Sequence, residues 1–591
     1  MFAGPLLTPY ACTTAGAGLG PPSDANCNAP QTTTWTYQST DGTVKDLPDP
    51  SVRPADVATT TVGGKDVPFI VRLEKGVIDR GIYSIWTLDP EPPAGAAVGE
   101  PAPWTSTGWN GRLVYRFGGG CGTSYSQGSP LLAGGGFSAD LVGKGYAVAT
   151  NTLDTFQSNC NDVLSAEAAM TTREHFVEHY GVPVHTIGDG GSGGAIQQLL
   201  VAQNYPGILD AITPSQPFPD AITIAAGVTD CGLLQNYYRG DGSSLSPLEQ
   251  MALSGHASPG TCSMWENLFL GGVNPTDGCD ATLADQVYDP ISRPDGVRCT
   301  LQDINVNVFG KDPATGFARR ALDNTGVQYG LQGLRAGRLT MAQFLDANEK
   351  VGGYDIDGKI VPERTAIDEE TAAIAYRTGR VTGAPTLRDV PIVLRNAYTD
   401  RIGDIHTRFH AFSIRDRLRS PDGADAPSLL LWSLAPTSTN PVAMLTGETG
   451  TGNEPIYLVD RWLDAVDQQD PSKPLAERVA AAKPADALNQ CKPRDAATIT
   501  GGRELYDQPG PCVDAFEVHG DPRTAAGEPL RADVLKCQLK PIDPADYAPA
   551  TLTPEDRARL EAVFPKGVCD WSKPGVGQQP MAGTWHDYGS R

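Results

Sequence analysis

The run Val184-His185-Thr186-Ile187-Gly188-Asp189-Gly190-Gly191-Ser192-Gly193-Gly194-Ala195-Ile196-Gln197-Gln198 constrains the chain more than any other stretch. An apolar, β-branched segment passes into clustered glycines with one serine at their centre, and an amphipathic segment, 195–205, follows at once. Strand, tight turn and helix are the natural reading. Gly190-Gly191-Ser192-Gly193-Gly194 fits G-x-S-x-G, in which a serine sits on a strained strand-to-helix turn and the glycines leave room for backbone and substrate. Gly188-Asp189-Gly190-Gly191-Ser192-Gly193 also fits G-x-G-x-x-G, the dinucleotide fingerprint. That fingerprint needs an acidic residue at the end of the next strand, whereas the run 208–214 has Asp210 near its start and none at its end. A glycine-rich packing turn without chemistry is the third alternative.

Strands alternating with helices surround this run. Arg112–Phe117 reads as a strand ending in Gly118-Gly119-Gly120-Cys121-Gly122, Leu141–Lys144 as a short helix end, and Tyr146–Thr150 as the next strand. Residues 163–180 read as a helix, 390–398 and 428–432 as strands, and 406–418 and 456–466 as helices. The pattern predicts an α/β fold with a doubly wound, mostly parallel sheet. It divides the chain into an extended N-terminal arm (1–60), a first core part (61–219), an insertion (220–388), a second core part (389–479) and a Cys/Pro-rich C-terminal extension (480–591). The two β-like runs at 67–71 and 81–88 suggest an opening hairpin.

A formal net charge of −23 over 591 residues argues against nucleic acid or an anionic membrane as partner. No apolar run approaches the ~18 residues of a transmembrane helix. Twelve cysteines, widely spaced and without any C-x-x-C, suit disulfides made in an oxidising compartment. Pairing sequence neighbours (Cys12 with Cys27, Cys121 with Cys160, Cys231 with Cys262, Cys279 with Cys299, Cys491 with Cys512, Cys537 with Cys569) is the simplest connectivity, which sequence leaves open. The opening Met1-Phe2-Ala3-Gly4-Pro5 lacks the features of a signal peptide, so the chain reads as a mature secreted or periplasmic form with an added starting methionine.

A serine nucleophile needs a base for its proton and donors for the oxyanion it creates. The expected donors are the N–H of Gly193, just after the serine, and those of Gly119 and Gly120 at the end of an earlier strand. Asp400 follows the strand 390–398 and is the expected acid, with Asp404, Asp220 and Asp230 in reserve. The loop 435–454 contains no histidine, so the base falls to His406, with His519 as the alternative. Asp404 lies two residues before His406. A helix starting near Gly403 would make those side chains diverge, which favours Asp400 as the partner. His175-Phe176-Val177-Glu178-His179 fits the zinc motif H-x-x-E-H, but a solvated helix face with no third ligand nearby is the better reading. Asp355-Ile356-Asp357-Gly358 lacks EF-hand spacing and reads as a turn rather than a calcium site. No metal or cofactor is called for.

With these residues the chain resembles the α/β-hydrolase superfamily, chiefly over 146–220. It resembles more closely a little-characterised family of secreted bacterial hydrolase-like proteins. That likeness rests on 169–181, Gly190–Gln198, Asn204–Asp210, Gly403-Asp404-Ile405-His406 and Lys536–Pro541. A more distant likeness is to tannases and feruloyl esterases, which are secreted, disulfide-rich and lidded by a large insertion. There cysteines precede the serine and follow the histidine, positions held here by Gly191 and Thr407. The resemblance implies a secreted serine esterase acting on a small-molecule or oligomeric ester, with 220–388 as its lid. A catalytically degenerate binding protein and a nucleotide-dependent oxidoreductase are the competing readings.

Overall fold

The computed structural model describes residues 8–104, 106–129, 136–420, 423–436 and 450–589. Residues 437–449, most of the loop in which the sequence offered no histidine, lie outside them. Its organising element is a sheet of twelve strands. In chain order these are β1 (Thr32–Gln38), β2 (Val44–Asp46), β3 (Ile70–Ile78), β4 (Gly81–Leu88), β5 (Arg112–Gly118), β6 (Ala147–Thr155), β7 (His185–Gly191), β8 (Ala211–Ser215), β9 (Ile392–Ala397), β10 (Leu429–Leu434), β11 (Asn489–Lys492) and β12 (Ile499–Gly501). Their spatial order is β12-β11-β10-β9-β8-β7-β5-β6-β4-β3-β1-β2.

The block from β11 to β6 is parallel throughout. Antiparallel strands extend it at both ends. Strands β8, β9 and β10 are buried at every position, as expected of strands covered on both faces. The short helix α1 (Ala139–Gly143) precedes β6, and helix α2 (Asp162–Tyr180) and helix α3 (Gly193–Asn204) pack against the sheet on apolar surfaces that include Phe176, Leu199 and Ala202. On the other face Trp462 and Val459, from the helix Glu454–Asp467, pack over Val114, Ile187 and Val393. This is the α/β-hydrolase architecture, with the crossover from β7 to α3 at the sheet's centre.

Two departures from the sequence reading concern the ends of the sheet. The segment 1–60 contributes β1 and β2, where Trp35 and Tyr37 bury against Ile70. The C-terminal segment contributes β11 and β12. β2, β11 and β12, at three or four residues each, are too short to show a period, and in β1 the buried positions Thr33, Trp35 and Tyr37 alternate with further threonines, which blurs the apolar stripe. Six disulfides form, all between sequence neighbours. Cys491–Cys512 and Cys537–Cys569 lie within the C-terminal segment. Between β8 and β9 the chain leaves the sheet through the 19-residue helix α4 (Ala221–Arg239), capped by Asp220, and then a run of shorter helices.

Candidate active site

Strand β7 ends at Gly191 and α3 begins at Gly193, leaving Ser192 alone on the turn with φ 58°. A left-handed conformation is costly for a residue with a Cβ, so its presence marks an over-determined position. The glycines explain how the turn is reached. A Cβ on Gly190 or Gly194 would lie 2.3 or 2.4 Å from the Phe117 carbonyl oxygen, and one on Gly193 would lie 2.2 Å from that of Gly120. Without side chains there, β5 and its Gly118–Gly120 end come up against the serine. The Ser192 N–H is tied to the Ser215 carbonyl of β8 (3.0 Å).

His406 Nε2 lies 3.0 Å from Ser192 Oγ, and His406 Nδ1 lies 2.8 Å from Asp404 Oδ1. With Nδ1–H donated to the carboxylate, Nε2 is the lone-pair nitrogen facing the hydroxyl. Both residues come from the segment after β9. Thr399 Oγ1 donates to the His406 carbonyl (3.1 Å), and the His406 N–H donates to Asp404 Oδ1 (2.6 Å). Burial pushes the Asp404 carboxyl up. The adjacent imidazole and the hydrogen bonds from His406 and Thr399 outweigh that and hold it below its ordinary value. Phe218 separates this imidazole from a second one, with ring centroids 5.1 Å from His406 and 4.6 Å from His410. Burial drives the His410 pKa far down, which keeps that ring neutral.

The expectation that Asp400 orients the imidazole is corrected by this geometry. Asp400 sits on a short 3₁₀ turn, Asp400–Ile402, and accepts the Arg408 N–H (2.9 Å). Burial raises its pKa to about 7. The inference against Asp404 assumed a helix from Gly403. Gly403 instead stops the turn in a left-handed conformation (φ 83°), and the helix begins only at Arg408. Residues 404–407 are irregular, so side chains two apart meet on one side. Thr407, a helix N-cap residue by type and by position, is the signal that could have moved the helix start. His519 is not at the serine. It is half-buried in the C-terminal segment, with Nε2 3.6 Å from Glu517. Asp220 caps α4 and pairs with Arg417 (2.6 Å), and Asp230 pairs with Arg523 (2.8 Å).

Gly193 is the first residue of α3, so its N–H has no intrahelical acceptor and points out of the helix start beside Ser192. Gly120 (φ +90°) faces it, and the next residue, Cys121, is bonded to Cys160. The Gly119 carbonyl takes the Gln157 N–H (2.9 Å), which pins the loop. From Ser192, Gly193 and Gly120 a cavity of about 910 Å³, its open mouth included, runs between α4 and the helix Pro259–Phe269. Phe218, Val228, Trp265, Phe269 and Phe309 give it apolar walls.

The remaining motifs are structural. His175 is not on a solvated face: its Nε2 meets Glu74 of β3 at 2.7 Å and its ring packs on Tyr83, while His179 is exposed. Asp355 Oδ1 accepts the Asp357 and Lys359 N–H groups in a tight turn. Asp357 takes Arg298 (3.1 Å). Asp210 Oδ2 accepts the Thr186 N–H (2.7 Å). Two groups with metal-ligand geometry are otherwise occupied: Cys231 and Cys262 near His256 form a disulfide, and Arg112 binds both carboxylates of the His185–Asp460–Asp464 group.

A family profile described as "Tannase-like family of unknown function (DUF6351)" matches residues 1–580. The chain belongs to this family. The match takes in the elbow, the Asp404–His406 segment and the disulfide-bonded C-terminal segment alike. Among solved structures the chain is similar to feruloyl esterase B from Aspergillus oryzae, with 13% identity and a TM-score of 0.34 over 73% of this chain and 86% of that one. It is also similar to an esterase from Aspergillus oryzae (11%, 0.28, over 65% and 74%). Tannin acyl hydrolase from Aspergillus niger gives 13% and 0.21, over 81% of each chain. No curated protein matches the chain.

Proposed function

We propose that this protein is a carboxylic ester hydrolase working through an acyl-enzyme on Ser192. The observation that carries the reading is the hydrogen-bonded line Ser192–His406–Asp404 at a strained strand-to-helix turn. Ser192 Oγ attacks the ester carbonyl while His406 Nε2 takes its proton. The tetrahedral oxyanion is received by the N–H of Gly193 together with Gly119 or Gly120. Asp404 stabilises the imidazolium and fixes its tautomer. Collapse expels the alcohol with a proton from His406, and a water activated by the same nitrogen then releases the acid. Membership of a tannase-like family is in keeping with this chemistry. The insertion 220–388 forms the wall of the substrate cavity and takes the role of a lid. Six disulfides support a secreted or periplasmic location, and no helix among the described residues is long and apolar enough to cross a membrane.

The test is turnover of p-nitrophenyl acetate by Ser192→Ala. A fall of about 10³-fold or more is expected, because the nucleophile, base and acid act as a unit. Undiminished turnover would overturn the assignment.

A further inference from the structure

Strand β8 ends at Ser215, and the chain leaves the sheet through Gln216-Pro217-Phe218. Gln216 is 1% exposed and has φ 44°. A left-handed backbone costs a residue with a side chain something that glycine escapes, so an outlier of this kind points to a use for the side chain. Here the side chain continues the work of a strand. β8 and β9 pair in parallel as far as Ser215 and Arg395, and the Gln216 N–H still donates to the Arg395 carbonyl (2.7 Å). Beyond that point β8 turns away, and the buried N–H of Ala397 needs another acceptor. Gln216 Oε1 accepts it at 2.6 Å and also faces Asn396 Nδ2 at 3.3 Å.

Both groups lead to the base. Asn396 Nδ2 reaches the His406 carbonyl (3.4 Å), and that carbonyl also accepts from Thr399 Oγ1 (3.1 Å), two residues beyond Ala397. The neighbours of Gln216 touch the rest of the machinery. The Ser215 carbonyl accepts the Ser192 N–H (3.0 Å), while the Phe218 ring lies 5.1 Å from the His406 imidazole and walls the cavity. Ser192 and His406 are 214 residues apart in sequence, and β8 is the strand that stands between β7, which leads to the serine, and β9, which leads to the base. The corner 215–218 therefore holds the nucleophile's backbone on one side and the base's backbone and ring on the other.

Resting on the esterase reading, we infer that Gln216 is a positioning residue for the hydrolysis. Its side-chain carbonyl fixes the end of β9, and through it the separation of His406 Nε2 from Ser192 Oγ. Gln216 is buried and does not line the cavity, so it acts through His406 and not on substrate.

The test compares three substitutions in the full chain, by turnover of p-nitrophenyl acetate and by melting temperature. Gln216→Gly suits the left-handed backbone and removes the acceptor, whereas Gln216→Met keeps the bulk and removes the acceptor. Gln216→Glu keeps an acceptor oxygen and adds a buried carboxyl, which is costly for stability. In the glycine and methionine variants kcat should fall about 10–10²-fold, the scale of a small misplacement of a reacting group, with KM changed less than about threefold. In Gln216→Glu kcat should stay within about threefold of wild type although the protein melts lower. A merely structural role predicts the opposite, with kcat following melting temperature. Wild-type kcat in the glycine or methionine variant would overturn the inference, as would a glutamate variant that loses as much kcat as methionine, or melting of all three below the assay temperature. Failure of the esterase reading would show separately, as wild-type turnover that Ser192→Ala leaves undiminished.

Discussion

Asp400 and Asp404 follow the same strand, are both buried, and do opposite things. Asp404 accepts from His406 twice and is held ionised; Asp400 accepts one backbone N–H and burial raises its pKa to about 7. Asp404→Asn should therefore leave the imidazole in the wrong tautomer and lower kcat on a simple aryl ester by about 10³–10⁴-fold. Asp400→Asn should leave kcat within about twofold, because the amide oxygen can still accept from Arg408 and no hydrogen bond joins Asp400 to His406. The second variant also tests a linkage. A carboxyl whose folded pKa lies above its unfolded value of about 3.9 binds more proton in the native state, so it lowers stability as pH rises towards about 7. Arg408 and Asp404 are the charged neighbours that bias it, in opposite senses. Thermal unfolding from about pH 4 to pH 8 should show Asp400→Asn gaining on the wild type as pH rises. A constant difference across that range would show that Asp400 carries no such load.

At the scale of elements, the elbow depends on β5 and α3 approaching more closely than side chains allow. Gly193→Ala would place a Cβ 2.2 Å from the Gly120 carbonyl oxygen, pushing the glycine loop away from the position the oxyanion occupies. Its kcat should fall by about 10²–10³-fold, the cost of one lost oxyanion donor, with a much smaller effect on KM. An unchanged kcat would place the oxyanion donors elsewhere. The same loop is clipped by Cys121–Cys160, which closes a 39-residue loop. Replacing both cysteines with serine should cost about 3–4 kcal/mol of stability, read as a lower melting temperature under non-reducing conditions. The elbow was legible because its requirements are local: a β-branched strand, glycines at fixed offsets, then helical periodicity. The segment 403–407 was not, since nothing in Gly403-Asp404-Ile405-His406-Thr407 shows by period whether the helix begins before or after the histidine. One misplaced helix start turned the carboxylate away.

Over the whole molecule, the C-terminal segment is locked to the insertion by buried charges. Arg523 reaches Asp230 of α4 at 2.8 Å, and Tyr329 donates to the same carboxylate (2.7 Å). Arg523→Met would leave Asp230 buried with one partner removed, so the protein should lose about 3–5 kcal/mol, measured by denaturant unfolding. A loss under about 1 kcal/mol would mean that the segment is held by its apolar contacts and disulfides alone. The parallel centre of the sheet and its helices were readable from alternation, whereas the disulfide pairing between sequence neighbours was only the simplest of the connectivities that spacing left open. The outer strands β1, β2, β11 and β12 were not readable: β2, β11 and β12 are only three or four residues long, and the buried stripe of β1 begins with Thr33 and is flanked by threonines, so little apolar period shows. Which histidine faces Ser192 was likewise a tertiary fact, decided by where the segment after β9 folds back over the sheet. All of this converges on one serine and one imidazole. The most direct measurement is labelling by a fluorophosphonate probe with peptide mapping, on the wild type and on His406→Ala and His519→Ala. Label confined to Ser192, largely lost in His406→Ala and retained in His519→Ala, is the predicted result; label on another residue, or full labelling of Ser192 without His406, would contradict the account.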